Sequence, residues 1–336
     1  MTVHFTPLFL IYTHKEREGK KMKNGVISLG EALVDFIPLD HTNLTYQKSP
    51  GGAPANVAVG VSRLGLKSTF LGKVGNDVLG HFLKDTLDEY GVNTNNMLLT
   101  DEARTGAVFV TLDKDGDRSF NFYIDPSADR FFHEAEIDEE LFKENRILHF
   151  GTISMISEPS RSATLKAVEL AKKNDVLVSF DPNVRLTLWK DEEKLKRTIL
   201  EMLPKADIVK LSEEELAFIT GKEMIEEGVE ALSHYAIPLL IITLGAEGSL
   251  AVSSKAKVAI SAMKVNAVDT TGAGDAFVSG MLYSINQYNG QLSDLTEEEL
   301  TSFGRFASVS GGLAASTKGA MTALPTIQEI EKLLVK

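Results

Sequence analysis

The chain has 336 residues, 43% of them hydrophobic and 24% charged, and carries a formal net charge of −12 at pH 7. This composition suits one large α/β domain or two small ones, and the acidic balance argues against duplex nucleic acid, which is bound through basic patches. Cysteine is absent, which excludes disulfides, thiolate zinc sites and cysteine nucleophiles and fits a reducing, cytoplasmic setting. In chain order, residues 1–23 read as an N-terminal extension. Residues 5–12 form a short apolar run, followed by the basic stretch 15–23. A secretory signal has the opposite charge order, and the run is too short to span a bilayer. No membrane partner is therefore expected, and Met22 is the more natural start.

From Gly25 onward, apolar runs alternate with helical spacings. Residues 26–30 read as a buried strand, 53–64 as a helix with Val57, Val61 and Leu64 on one face, 69–74 as a strand, and 78–90 as a helix closed by Gly91. Further strands are predicted at 147–150, 176–180, 208–211 and 239–244, with helices at 163–173, 192–203 and 276–282. Apolar strands alternating with amphipathic helices predict a mostly parallel sheet covered on both faces. Two segments break the rhythm. Residues 36–50 and 104–125 read as antiparallel β-structure, the second as a hairpin about Asp115-Gly116. Without helices to cover them, they are expected to form a small sheet outside the main one, either a lid over a ligand crevice or a plain surface hairpin.

The most informative stretch is DTTGAGDAF, residues 269–277. Gly272, Ala273 and Gly274 are small enough for bare backbone N–H groups to approach a ligand. The apolar stretch after them places these groups at a helix N-terminus, which favours an anion. Asp275 stands in the first turn as a potential proton acceptor. An anion hole beside a proton acceptor suits phosphoryl transfer to a hydroxyl, although the same residues also make an ordinary capped helix start. GGAPAN, residues 51–56, opens another helix. Gly51 and Gly52 allow close backbone approach, and Asn56 offers a sugar hydroxyl both a donor and an acceptor. Asp35 ends the first strand, on the side where open α/β sheets bind ligands, with Glu31 the second choice there. DPNVR, residues 181–185, and the Lys210 to Glu215 run also follow strands, but both carry turn or capping chemistry. A P-loop-like stretch at 60–68 has Leu66 where the Lys must stand, and histidines are scattered, so no catalytic metal cage is indicated.

Taken together, DTTGAGDAF and GGAPAN resemble the C-terminal signature and the N-terminal sugar motif of the ribokinase-like (PfkB) sugar kinases. The resemblance runs from about residue 24 to the end, in the family's motif order, and is strongest to fructokinases through GEALVDFIP, GGAPANVAVG, ART, DPNVRLTLW and DTTGAGDAF. It implies a ribokinase-like three-layer α/β/α sandwich with a small β-sheet lid, forming a single kinase domain over residues 24–336. It implies ATP and Mg²⁺ as cofactors, with K⁺ as a further candidate. The expected reaction converts ATP and D-fructose to ADP and fructose 6-phosphate. By the same resemblance, Asp275 is the general base and the Gly272, Ala273 and Gly274 backbone stabilises the transferring phosphoryl group. Asp35, Gly51, Gly52, Asn56, Arg104 and Arg185 are expected to hold the sugar. Asn183, Lys210, Thr243, Gly245, Gly248 and Gly274 are expected at the nucleotide. Glu215 would organise Mg²⁺ through water, in a motif where Ser212 replaces the family's Asn. Asp269 and Thr271 match a monovalent-cation site, and residues 307–318 match positions at that site or at the adenine. A homodimer through the exposed edges of the lid is a further expectation. The alternatives are another sugar or nucleoside, such as 2-keto-3-deoxygluconate or a ribose-like substrate, and a non-catalytic regulatory relative.

Overall fold

The computed structural model describes residues 23–113 and 118–335. The extension expected before residue 23 and the Asp115-Gly116 turn lie outside those residues. Lys23, assigned to that extension, is docked on the body instead: its Nζ donates to the carbonyl of Phe142 at 2.7 Å and to that of Asn174.

The first part of the chain forms β1 (Val26–Leu29), β2 (Leu33–Pro38), β3 (Tyr46–Gly51), α1 (Ala53–Arg63), β4 (Ser68–Gly75), α2 (Val78–Glu89), β5 (Met97–Thr100), β6 (Gly106–Leu112) and β7 (Arg118–Phe122). There follow α3 (Leu141–Glu144), β8 (Ile147–Phe150), α4 (Ser160–Lys173), β9 (Leu177–Phe180), α5 (Glu192–Met202), β10 (Ile208–Ser212), α6 (Glu213–Thr220) and α7 (Ile225–Leu232). The last part is β11 (Leu239–Thr243), β12 (Gly248–Val252), β13 (Lys257–Ser261), α8 (Ala273–Gln287), α9 (Glu297–Ala315) and α10 (Ile327–Leu334). Local chemistry sets several of these boundaries. Asp77 caps α2 by accepting from the Leu79 and Gly80 N–H groups. Ser212 and Glu215 form a capping box on α6, which ends at Gly221 with φ 71°.

Nine strands form the main sheet in the order β13-β12-β11-β10-β9-β8-β1-β4-β5. Strands β11, β10, β9, β8, β1, β4 and β5 run parallel, and β12 and β13 close the edge antiparallel. Successive strand residues feed opposite cores, as a two-residue period requires. Val26 belongs to the core that residues of α1, α8 and α9 help form, whereas Ile27 belongs to the core that residues of α4 to α7 help form. This is the expected three-layer arrangement. No helix among the described residues is long and apolar enough to cross a membrane.

The small sheet differs from expectation in detail. Its order is β3-β2-β6-β7, and β2 pairs with β6 in parallel. The purely antiparallel reading is corrected because α1, β4, α2 and β5 intervene between β3 and β6, a connection long enough for a parallel crossover. The sheet also begins earlier than residue 36, at Leu33. Gly30, with φ 148°, turns the chain out of the main sheet, so Asp35 lies in the middle of β2 and not at the end of the first strand.

Candidate active site

A cleft of about 930 Å³ separates the small sheet from the carboxyl ends of the main strands. At one end stands the start of α8. Gly272 precedes it with φ 77°, and a Cβ there would lie 3.2 Å from the Ala320 Cα, so the turn is built for glycine. Gly274 faces open space. The Ala273 N–H donates to the Thr270 carbonyl at 3.1 Å. It is occupied inside the turn, which corrects its expected place among the anion-binding amides. Among the described residues, the N–H groups of Gly272, Gly274 and Asp275 find no acceptor, as the first donors of a helix must unless a ligand supplies one. Asp269 braces the turn: its carboxylate accepts from the Thr271 N–H at 3.0 Å and the Gly319 N–H at 3.1 Å.

Asp275 faces the cleft, and its Oδ2 accepts from Asn56 Nδ2 at 2.7 Å. Burial pushes its carboxyl up to about 6; Asp181 adds to the push, while the Asn56 bond, Lys210 and Arg185 oppose it. Across the cleft, burial lifts Asp35 to about 7 against the pull of Arg185, with Asp275 also raising it. Glu31 is buried more deeply, 4% exposed, and is pushed to about 8 by that burial. Its Oε1 accepts from the Ala53 N–H at 3.2 Å. The cleft floor is an ionic cluster. Lys210 Nζ lies 3.2 Å from Asp181 and 3.9 Å from Glu215. Burial works against the Lys210 charge, but those two carboxylates outweigh it and hold the ammonium above its ordinary value. Glu215 accepts from the Val184 N–H at 2.8 Å and, through its other oxygen, from the Ser212 N–H at 2.8 Å. It thereby fixes the DPNVR loop to the start of α6.

Of the expected residues, Glu31, Asp35, Gly52, Asn56, Asn183, Arg185, Lys210, Glu215, Asp269, Thr271, Gly272, Gly274 and Asp275 line this cleft. Gly51 does not, but it makes room: a Cβ there would sit 2.3 Å from an Asp35 carboxylate oxygen. Arg104 is exposed and also lies outside the lining. The next residue, Thr105, is pinned by its N–H and hydroxyl to Asp77, which sets the course of the chain there. Thr243, Gly245 and Gly248 are likewise not brought to the wall. Gly248 has φ 119° and a Cβ there would meet the Ile260 carbonyl at 2.0 Å, so this glycine serves the β12–β13 hairpin. Asp181, the first residue of the DPNVR motif, also lines the cleft, and the residues not singled out from sequence include the apolar wall of Val108, Phe120 and Phe122. The two-residue alternation of β6 and β7 carried the signal for that wall.

Residues 23–327 match the pfkB family carbohydrate kinase model. The chain belongs to the pfkB family of carbohydrate kinases. It is 41% identical over 318 residues to probable fructokinase-4 of Arabidopsis thaliana, covering 93% of this chain and 97% of that one. It also superposes on solved structures. The fructokinase of Vibrio cholerae O395 in its fructose-, ADP- and calcium-bound form is 40% identical, with a TM-score of 0.86 over 92% of this chain and 98% of that chain. The fructokinase of Xylella fastidiosa with bound ATP is 34% identical, with a TM-score of 0.87 over 92% and 98%. The aminoimidazole riboside kinase of Salmonella enterica is 30% identical, with a TM-score of 0.83 over 93% and 100%. This chain thus has the ribokinase-like fold of the pfkB kinases, with the cleft between its two sheets.

Proposed function

We infer that the protein transfers the γ-phosphoryl group of MgATP to the 6-hydroxyl of D-fructose, giving fructose 6-phosphate and ADP. The observation that carries this reading is the pairing of Asp275 with open N–H donors at the start of α8. The 40% identity to a fructokinase whose structure holds fructose and ADP supports the choice of sugar. In this reading Asp275 takes the hydroxyl proton, the sugar oxygen bonds to the γ-phosphorus, and the bond from that phosphorus to the β–γ bridging oxygen breaks. A carboxyl near 6 is mostly ionised at neutral pH yet still basic enough to accept that proton. The Gly272, Gly274 and Asp275 amides meet the charge on the phosphoryl group. Asp35, Asn56 and Arg185 orient the sugar, and Gly52 brings the α1 backbone to it.

Among the described residues no cluster of three metal-ligating side chains occurs. Mg²⁺ bound with the nucleotide would neutralise charge on the phosphates, and Glu215 is the cleft residue that would order its waters. The small sheet serves as the lid, its apolar wall of Val108, Phe120 and Phe122 excluding water from the transfer. Activation by K⁺ and pairing of two copies through the small sheet belong to the same reading, tested by ion replacement and sedimentation. The deciding assay is coupled ADP release with MgATP over fructose, ribose, glucose, 2-keto-3-deoxygluconate, adenosine and a riboside. A kcat/KM for fructose well above the others is the expected result. Preference for a riboside would keep the mechanism and replace the substrate. No turnover with ATP still bound would overturn the catalytic reading.

A further inference from the structure

The N-terminal end of α1 has an unusual cap. Its N-cap is Gly52, which has no side chain to offer, and the helix carries Pro54 in its first turn. The Ala53 N–H is therefore left to a group from elsewhere in the chain. Glu31, on the segment leaving the main sheet, supplies it through Oε1 at 3.2 Å. The two segments are packed without slack. A Cβ on Gly52 would lie 2.5 Å from the Glu31 carbonyl oxygen, and one on Gly30 would lie 2.6 Å from the Pro54 ring. One turn along α1, the Asn56 N–H closes the first helical bond to Gly52 at 2.8 Å, and the Asn56 amide donates to Asp275. The Asn56 side chain is 5% exposed, and its Oδ1 has no hydrogen-bond partner, so only the set of α1 keeps that amide aimed.

We propose that Glu31 is a positioning residue for the proton acceptor of this site: by holding the first turn of α1 it keeps Asn56 hydrogen-bonded to Asp275. This rests on the assignment of Asp275 under the proposed function. Asn56 donates to the ionised form of Asp275, so losing that bond raises the Asp275 pKa. The other charged groups facing Asp275 are Asp35 from β2, Asp181 and Arg185 from the loop after β9, and Lys210 from β10. Of these, only Arg185 also interacts with Glu31, and Glu31→Gln controls for that contact by keeping the side chain's shape without its charge. Burial keeps the Glu31 carboxyl largely protonated at neutral pH, so glutamine preserves both its shape and its accepting oxygen.

The test is the pH dependence of kcat/KM, taken with whichever sugar the wild-type protein turns over. Glu31→Ala is expected to move the acid limb to higher pH by about one to two units, the effect of one hydrogen bond lost from a carboxylate. Glu31→Gln should leave the limb in place. Ala53→Pro breaks the same link from the other side, removing the N–H at a position where proline suits a helix, and should shift the limb like Glu31→Ala even if that variant fails to fold. A folded Glu31→Ala or Ala53→Pro protein with an unmoved limb would overturn the proposal, as would Glu31→Gln behaving like Glu31→Ala. A purely structural cap would lower melting temperature and leave the limb where it was. The Asp275 titration is also read directly by NMR in protein labelled with carboxyl-¹³C aspartate, using Asp275→Asn for assignment. That measurement decides the matter without turnover, so failure of the kinase reading stays distinct from failure of this one.

Discussion

Replacing Lys210 by Met would strand two carboxylates in the floor of the cleft. The Lys210 ammonium lies 3.2 Å from Asp181 and 3.9 Å from Glu215, and the three side chains are 13%, 6% and 10% exposed. At such burial, removing one partner leaves an uncompensated charge and costs about 3–5 kcal/mol, far more than the under 1 kcal/mol typical of a surface pair. For a chain of this size that corresponds to a melting temperature lower by roughly 4–7 °C. Urea unfolding can be followed through Trp189, the only tryptophan of the chain, which is 4% exposed in the native state. Glu215 keeps its two backbone donors in the variant, so most of the loss should come from Asp181. Adding Asp181→Asn to Lys210→Met should therefore recover part of the stability, a coupling of about 1–3 kcal/mol between neighbours. A Lys210→Met protein within about 1 kcal/mol of wild type, or a double variant that loses the sum of both single losses, would refute the account of the floor as a buried ionic cluster.

Four other outcomes follow from the same site. With Asp275 near 6, kcat/KM should fall as pH drops below about 6, because the acceptor must be ionised; Asp275→Asn should lower kcat by about 10²–10⁴-fold while ATP affinity changes little. Gly272→Ala forces a side chain onto φ 77°, and denaturation should register a loss of about 1–2 kcal/mol along with reduced turnover. Glu31 is raised from its ordinary 4.5 to about 8, so between those values the native state holds a proton that the unfolded chain has released. Stability must fall as pH rises through that window, by up to about 1.4 kcal/mol per pH unit. Asp35 and Asp275, also raised, add to the slope over the lower part of the window, so Glu31→Gln should reduce it, most clearly above pH 7; an unchanged slope there would contradict the burial of the carboxyl.

What could be read along the chain was whatever local chemistry determines. The alternation of strands and helices, the Asp115-Gly116 hairpin signal and the glycine turn before α8 depend on neighbouring residues alone, and so does the capping box of Ser212 and Glu215. The pairings that complete the site do not. Asn56 and Asp275 are 219 residues apart, and Glu31 meets Ala53 only because Gly30 turns the chain aside. Arg104 shows the opposite failure: its motif was legible, but its place depends on Asp77 holding Thr105, a contact between segments. Ala273 was placed correctly on the turn. Its amide donates to the Thr270 carbonyl inside the turn, a bond that no sequence pattern shows.

The cleft draws its two walls from separate sheets. Asp35, Val108, Phe120 and Phe122 come from the four-stranded sheet, while Asp181, Lys210, Glu215 and the α8 turn belong to the nine-stranded body. Changes on the first wall can therefore retune which acceptor fits while leaving the phosphoryl-handling wall intact. In the proposed reading, part of acceptor choice thus sits on elements that carry no transfer chemistry, while Asn56 and Arg185 tie the rest of it to the body. Replacements at Val108, Phe120 and Phe122 are the natural place to begin a search for new sugars.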